Sequence, residues 1–558
     1  MARARMLCSV PLAIRAASSW GAALVLVASG LLTSAGCGES ESGVPRTPSA
    51  AGGHAGGGGC ADCGGESGAP SAPEPPPGGS PSGGDASGEQ PGVGGEAGAA
   101  PMLAPELTLR SVSISQTLEV PLMTAGRALP IATRPVPLIA RKRGLLRAFV
   151  DVDARFEPRR LLGVLDVRGG GREHSVLSER TVTQASAQDD LASTFVFEVP
   201  EDDLGEGSEY RVRVLEADTS PLARFPETGF AAFGAELLAP LRLVLVPYVA
   251  NGFTPKTGDA EIAALRRRLV ALYPTRDVEI SVSGPVTLGY PVDADGAGWD
   301  DALDLIYELR EQAAPPGDTF FYGLLAPAAD YDAYCPSGCL LGYSVVADAR
   351  TESERGSIGV GIFPDGSGTG DAEDTAAHEL GHALGRDHAP CGISDPRDTD
   401  PDWPSDVAHR NGLIGAYGYD FDLGRLVKPR PPKDFMSYCT PSWVSDYTYS
   451  GIFQRLVAIA AQQSALQSVQ LPQTFRVARV ARSGQSRWLA PRVKPRGALG
   501  SRVELLDASE RVVGAASARF ARVDHGRGGY IWLPETEIGV PGAVSVDLRP
   551  FGGAVLAL

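Results

Sequence analysis

The stretch His378-Glu379-Leu380-Gly381-His382-Ala383-Leu384-Gly385-Arg386-Asp387-His388 constrains the fold of this 558-residue chain more than any other. It reads H-E-x-x-H-x-x-G-x-x-H. With seven histidines in the whole chain, a chance match to the five fixed positions is on the order of one in a hundred thousand. Residues 375–384 contain good helix formers and no proline, so they are predicted as a helix. His378 and His382 then lie one turn apart on one face and can grip one metal ion. Glu379 cannot point along the same axis, but it can reach a water held beside that ion. Gly385 suits a left-handed residue that ends the helix. The turn there brings His388 back as a third donor. Three neutral imidazoles with an open fourth position describe a catalytic zinc site rather than a closed structural one. Zinc in such a site acidifies water to a pKa of about 7 and polarises a carbonyl. Glu379 is the expected general base, and then the acid that passes the proton to a leaving amine.

A second motif follows at Asp434-Phe435-Met436-Ser437-Tyr438-Cys439. Together the two motifs resemble the metzincin clan of zinc metallopeptidases. The resemblance implies that Met436 forms a tight turn beneath the three histidines. It also implies that Tyr438 matches the astacin- and serralysin-like tyrosine, which ligates zinc and then stabilises the oxyanion. Serralysin-type calcium-binding glycine repeats are absent, which counts against that branch. The implied activity is that of a zinc metalloendopeptidase with one catalytic ion and a protein or peptide substrate. Two other classes stay open, because the motif selects the chemistry and not the substrate. One is a zinc hydrolase of another amide bond, such as a cell-wall peptide. The other is a surface adhesion protein with a silent zinc domain.

Residues 1–37 resemble an export signal, with Arg3, Arg5 and Arg15 before an apolar run from Trp20 to Leu32 that is short for a membrane span. Ser34-Ala35-Gly36-Cys37 resembles a bacterial lipobox, although Ser34 departs from the usual leucine. Lipidation at Cys37 would give an outer-membrane or cell-surface lipoprotein. Ordinary signal cleavage, giving a secreted protein, is the alternative. Residues 38–104 are rich in Gly, Pro and Ser and are expected to be a disordered linker. Cys60 and Cys63 within it read as an incidental or disulfide-linked pair. A net charge of −17 leaves no electrostatic footprint for nucleic acid. The expected membrane contact is the lipid anchor alone, and the expected state is a monomer.

The expected fold is multidomain, with an α/β (α+β) catalytic domain between β-sandwich domains. Residues 105–232 alternate in short runs such as 107–114, 146–152, 194–199 and 210–215, which predicts a β-sandwich. Residues 238–470 are expected to be the catalytic domain. Strands are predicted at 241–247, 278–282, 319–325 and 357–363, and helices at 259–273, 299–312 and 452–463. Residues 474–558 return to alternating runs and predict a second, smaller sandwich. Cys335, Cys339, Cys391 and Cys439 are an even set in an exported chain and predict disulfides. The preferred pairing is Cys335–Cys339 and Cys391–Cys439, the second tying the ligand loop to the Met436 turn. Zinc ligation by these cysteines is the alternative. Asp371, Glu373 and Asp374 favour a helix N-terminus. Support of a ligand histidine or calcium binding is left open there, and nothing else in the sequence supports calcium. Segment 403–433 is expected in the cleft wall. His174 and His409 read as bystanders, and His525 has no metal partner evident in sequence.

Overall fold

Strands of alternating polarity bury one face each, and strands buried on both faces need apolar residues throughout. Both kinds occur in this protein. A computed structural model describes residues 106–216, 221–347, 354–465, 474–490, 492–493 and 499–558. The predicted export segment with Cys37, the linker 38–104 and the Cys60/Cys63 pair lie outside the described residues.

The N-terminal region has two antiparallel sheets. In one, Leu107–Ser115 pairs with Glu119–Thr124 and with Gly144–Val152, which pairs in turn with Phe195–Val199. In the other, the hairpin Arg159–Gly169 and Arg172–Val182 continues through Glu209–Leu215 to Pro221–Phe225. Val112, Ile114, Ala148 and Val150 of the first share a core with Leu165, Val167, Val212 and Val214 of the second. The arrangement is sandwich-like.

The middle region is built on a parallel sheet. Val278–Val282, Leu241–Val249, Thr319–Leu325 and Gly356–Val360 lie side by side in that order. The short strand Gly342–Ser344 closes the edge antiparallel to Gly356–Val360. Successive residues serve opposite faces. Leu243, Leu245, Phe320 and Tyr322 share a core with helix Asp259–Leu272 and with helix Asp371–Ala383, which carries the histidine motif. Val246, Phe321, Leu325 and Ile358 share a second core with helix Trp299–Ala313.

The C-terminal region departs from two separate sheets. Its long strand Val512–Arg522 pairs with Ser501–Leu506 along 512–518, then with Gly529–Pro534 along 519–522. One strand therefore belongs to both layers, as at the corners of orthogonal packings. Phe475, Val477, Ala521, Val523 and Trp532 enter the second core beside helix Trp299–Ala313. Buried Arg479 bonds Asp300 and Asp304 on that helix, and the Tyr530 hydroxyl donates to Asp304. A buried guanidinium survives only when paired in this way, and the pairing fixes the C-terminal sheet to the middle region. The whole is a multidomain α+β protein, mostly β. Among the described residues no helix is long and apolar enough to cross a membrane.

Candidate metal centre

The motif helix spans Asp371–Ala383 and begins ahead of the predicted residue 375. Glu373 explains the extra turn: its carboxylate accepts the Gly370 N–H at 2.6 Å, which satisfies a donor left free at the helix start. Asp374 pairs with Arg268. At the other end Gly385 has φ +79°. Its N–H donates to His382 O at 2.8 Å, and the Arg386 N–H donates to Gly381 O at 2.9 Å. This is the left-handed stop read from the sequence, and it returns the chain to His388.

The three imidazoles converge. His382 Nε2 lies 3.1 Å from His378 Nε2 and 3.2 Å from His388 Nε2. Each ring is held from behind by a carbonyl. His378 Nδ1 donates to Phe435 O at 2.9 Å, His382 Nδ1 to Arg386 O at 2.6 Å, and His388 Nδ1 to Asp398 O at 3.0 Å. A carbonyl can only accept, so each Nδ1 carries the ring proton and each Nε2 presents a lone pair. Three lone pairs pointed at one another repel unless a cation sits among them. Donors about 2.0–2.1 Å from one ion at tetrahedral angles stand roughly 3.3 Å apart, close to the spacings found. Protonation does not relieve this repulsion. Burial pushes His378 down to about 4 and, with His378 as neighbour, His388 to about 2. Burial and the other two imidazoles also lower His382.

Beneath the histidines runs the turn 434–437. Buried Asp434 accepts the N–H groups of Met436 and Ser445, both at 2.8 Å. Met436 is fully buried, and its sulfur packs so close to the helix that a Cβ on Gly381 would sit 2.4 Å from it. The Met436 carbonyl accepts the Ala389 N–H at 3.0 Å, just after His388. Disulfides join Cys391 to Cys439 and Cys335 to Cys339. The first links the loop after His388 to this turn, and among the described residues no cysteine sulfur joins the histidine cluster.

Two residues at the centre belong to no motif in the sequence. Asp524 and His525 follow the end of the C-terminal strand. The 523–528 turn docks on the edge strand: the Asp524 N–H donates to Ser344 O, and the Ser344 N–H to Asp524 Oδ1, each at 3.0 Å. Arg522, just before it, pairs with Asp387 and reaches Asp398 at 3.8 Å, on either side of His388. Asp524 Oδ2 lies 3.7 Å from His382 Nε2. His525 Nδ1 lies 3.0 Å from the Tyr438 hydroxyl, which is 2.9 Å from His388 Nε2. Four of the seven histidines thus gather here. Their scarcity, with an Asp-His pair in a turn, was the one available hint.

Glu379 is buried beside Asp524, and the two carboxylates with His525 lie within ligand distance of one another. Burial, then the charge of Asp524, raises the Glu379 carboxyl well above its ordinary value. Burial, then Asp524 and Glu379, likewise raises the Tyr438 phenol. A cleft of about 350 Å³ reaches His378 and Glu379, with Leu341, Asp371, Asp374 and Thr440 among its walls. The expected wall 403–433 is not among its lining residues. That segment is spent on packing elsewhere: Trp403 lies against Tyr447, 5.2 Å between ring centres, and Tyr417 O accepts the Glu119 N–H at 2.7 Å. His409 is held between Asp406 and Asp446, away from the centre. His174 pairs with Asp203 at the surface of the N-terminal region.

No family model matches the chain, and no curated protein matches it. Among solved structures, a calcium-binding mutant of a Bacteroides uniformis β-glucuronidase aligns at 12% identity and TM-score 0.15, over 39% of this chain and 24% of that one. Metalloproteinase-II from Bacteroides fragilis aligns at 10% identity and TM-score 0.18, over 49% of this chain and 77% of that one. At such TM-scores neither likeness bears on the fold or the function.

Proposed function

We propose that this protein is an exported zinc-dependent metalloendopeptidase of metzincin type, held at the cell surface through Cys37. One observation carries the reading: three buried imidazoles present unprotonated Nε2 atoms to one point, each oriented by a backbone carbonyl, with a buried glutamate beside them and a cleft leading in. His378, His382 and His388 would hold zinc, which when bound acidifies water and polarises a carbonyl. Glu379 Oε2 has no hydrogen-bond donor, so it is free to take a proton and return it to the departing amine. The Tyr438 hydroxyl faces the same point and can donate to the oxygen of the bond being cleaved. Met436 and the Cys391–Cys439 disulfide keep the third histidine in register.

The full chain stripped by a chelator should lose cleavage of casein and regain it with zinc. Unlabelled cell-wall fragments offered in parallel should stay intact. Release of wall peptides with casein untouched would move the reading to another amide bond. Loss of neither activity on stripping would end it.

A further inference from the structure

The C-terminal sheet does more at the centre than support it. Asp524 is 1% exposed. Its Oδ1 is used by the Ser344 N–H, whereas Oδ2 has no hydrogen-bond donor. Oδ2 is 3.7 Å from His382 Nε2 and 3.3 Å from His525 Nε2, without hydrogen-bond geometry to either. A buried carboxylate oxygen without a donor is satisfied by a cation or by a proton shared with the neighbouring Glu379 carboxyl.

We propose that Asp524 is a fourth protein ligand of the ion held by His378, His382 and His388, so that the chain in this conformation closes its own metal centre. The inference rests on the zinc reading above. Asp524 Oδ2 lies 3.7 Å from His382 Nε2, a few tenths of an ångström beyond the roughly 3.3 Å of a tetrahedral set. Its position is built. The turn is fastened by both Ser344 bonds, by the Val345–Val523 bridge and by Arg522 on Asp387. Water or a substrate carbonyl must displace this carboxylate to reach the ion. The cleft opens onto His378, Glu379 and His525, so a substrate arriving there competes with this carboxylate. Activity is then set by how readily the 523–528 turn lets go.

The test loads the full chain with Co(II), whose visible absorption reports coordination, and compares wild type with Asp524→Asn and Asp524→Ala. The asparagine variant keeps an oxygen for the Ser344 N–H, and the thermal midpoint of each metal-free variant reports folding. The expected result is one cobalt per chain in all three and a changed absorption spectrum in both variants. Transfer of the metal to a chelator should be about 10–100-fold faster, and casein cleavage at least about 10-fold faster. An unchanged spectrum and unchanged metal transfer would overturn the proposal. So would slower cleavage with an unchanged spectrum, which would make Asp524 a partner of Glu379 instead. Two cobalt ions in wild type, with one lost in each variant, would overturn it in favour of a second site on Glu379, Asp524 and His525. A wild-type chain that takes up no metal would defeat the proposed function itself, and the loading step reads that before any variant is compared.

Discussion

The N-terminal and C-terminal β regions are both antiparallel, and both share a core with the parallel sheet, yet they meet the candidate metal centre differently. Among the described residues the N-terminal region contributes no lining to the cleft. It acts through relays. Lys142, 3% exposed, donates to Thr117 Oγ1, Val270 O and Tyr273 O, closing the C-terminal end of helix Asp259–Leu272. The Tyr273 hydroxyl then donates to Ala377 O at 2.6 Å, one residue before His378. The C-terminal region puts Asp524 and His525 beside the histidine cluster and Arg522 on Asp387 and Asp398, which flank His388 in sequence. The difference teaches that a strand pattern fixes a core, while the tip of a single hairpin decides whether a module supports a site or belongs to it.

The largest effect should come from the N-terminal region, which among the described residues lines no part of the cleft. Phe195→Ala empties a fully buried position in the N-terminal core and should cost about 3–5 kcal/mol of stability. Zinc affinity of the protein that remains folded should not change, as read by denaturant unfolding and by competition with a metal indicator. A joint loss of both would break the comparison. Next, Gly381→Ala drives a Cβ against the Met436 sulfur and should cost about 1–3 kcal/mol, with weaker zinc binding besides, since the strain falls between two ligands. Arg522→Ala should do the reverse of Phe195→Ala. It frees Asp387 and Asp398 around His388 and should weaken zinc about tenfold, or ~1.4 kcal/mol, with a smaller shift in thermal midpoint. Unchanged zinc affinity would demote the C-terminal region to a support.

The smallest effect concerns His409, which lies outside the histidine cluster. Burial alone would lower it, but the hydrogen bonds to Asp446 and Asp406 outweigh burial and raise it above its ordinary 6.5. The folded state therefore binds this proton more tightly than the unfolded chain. The stabilisation is fully present below pH 6.5 and is lost as pH rises through the raised folded value. His409→Gln should cost under about 1 kcal/mol at pH 6 and almost nothing at pH 9, followed by thermal unfolding. A cost that grows with pH would contradict the assignment.

What the sequence disclosed was local. The 3.6-residue period placed His378 and His382 on one face, and Gly385 announced the turn to His388. Strand Thr319–Leu325 and helix Asp259–Leu272 fall within a residue of their predicted bounds because their apolar spacing is regular. The edge strand Gly342–Ser344 escaped notice, since three residues carry no period. Asp524 and His525 escaped for a different reason. They read as an ordinary polar hairpin turn, and nothing within a turn states which surface it meets. Segment 403–433 was misplaced for the same reason: its aromatic residues face the closing helix Asp446–Ala465 and the N-terminal sheet, partners distant in sequence.

The account stands or falls on a single ion held by the three histidines and used by Glu379. The most direct measurement is zinc content together with casein cleavage, on the purified full chain and its Glu379→Ala variant. The account predicts about one zinc per chain in both, with cleavage in the first and a loss of about 10²–10⁴-fold in the second. Wild-type protein without stoichiometric zinc, or equal cleavage by both proteins, would contradict it.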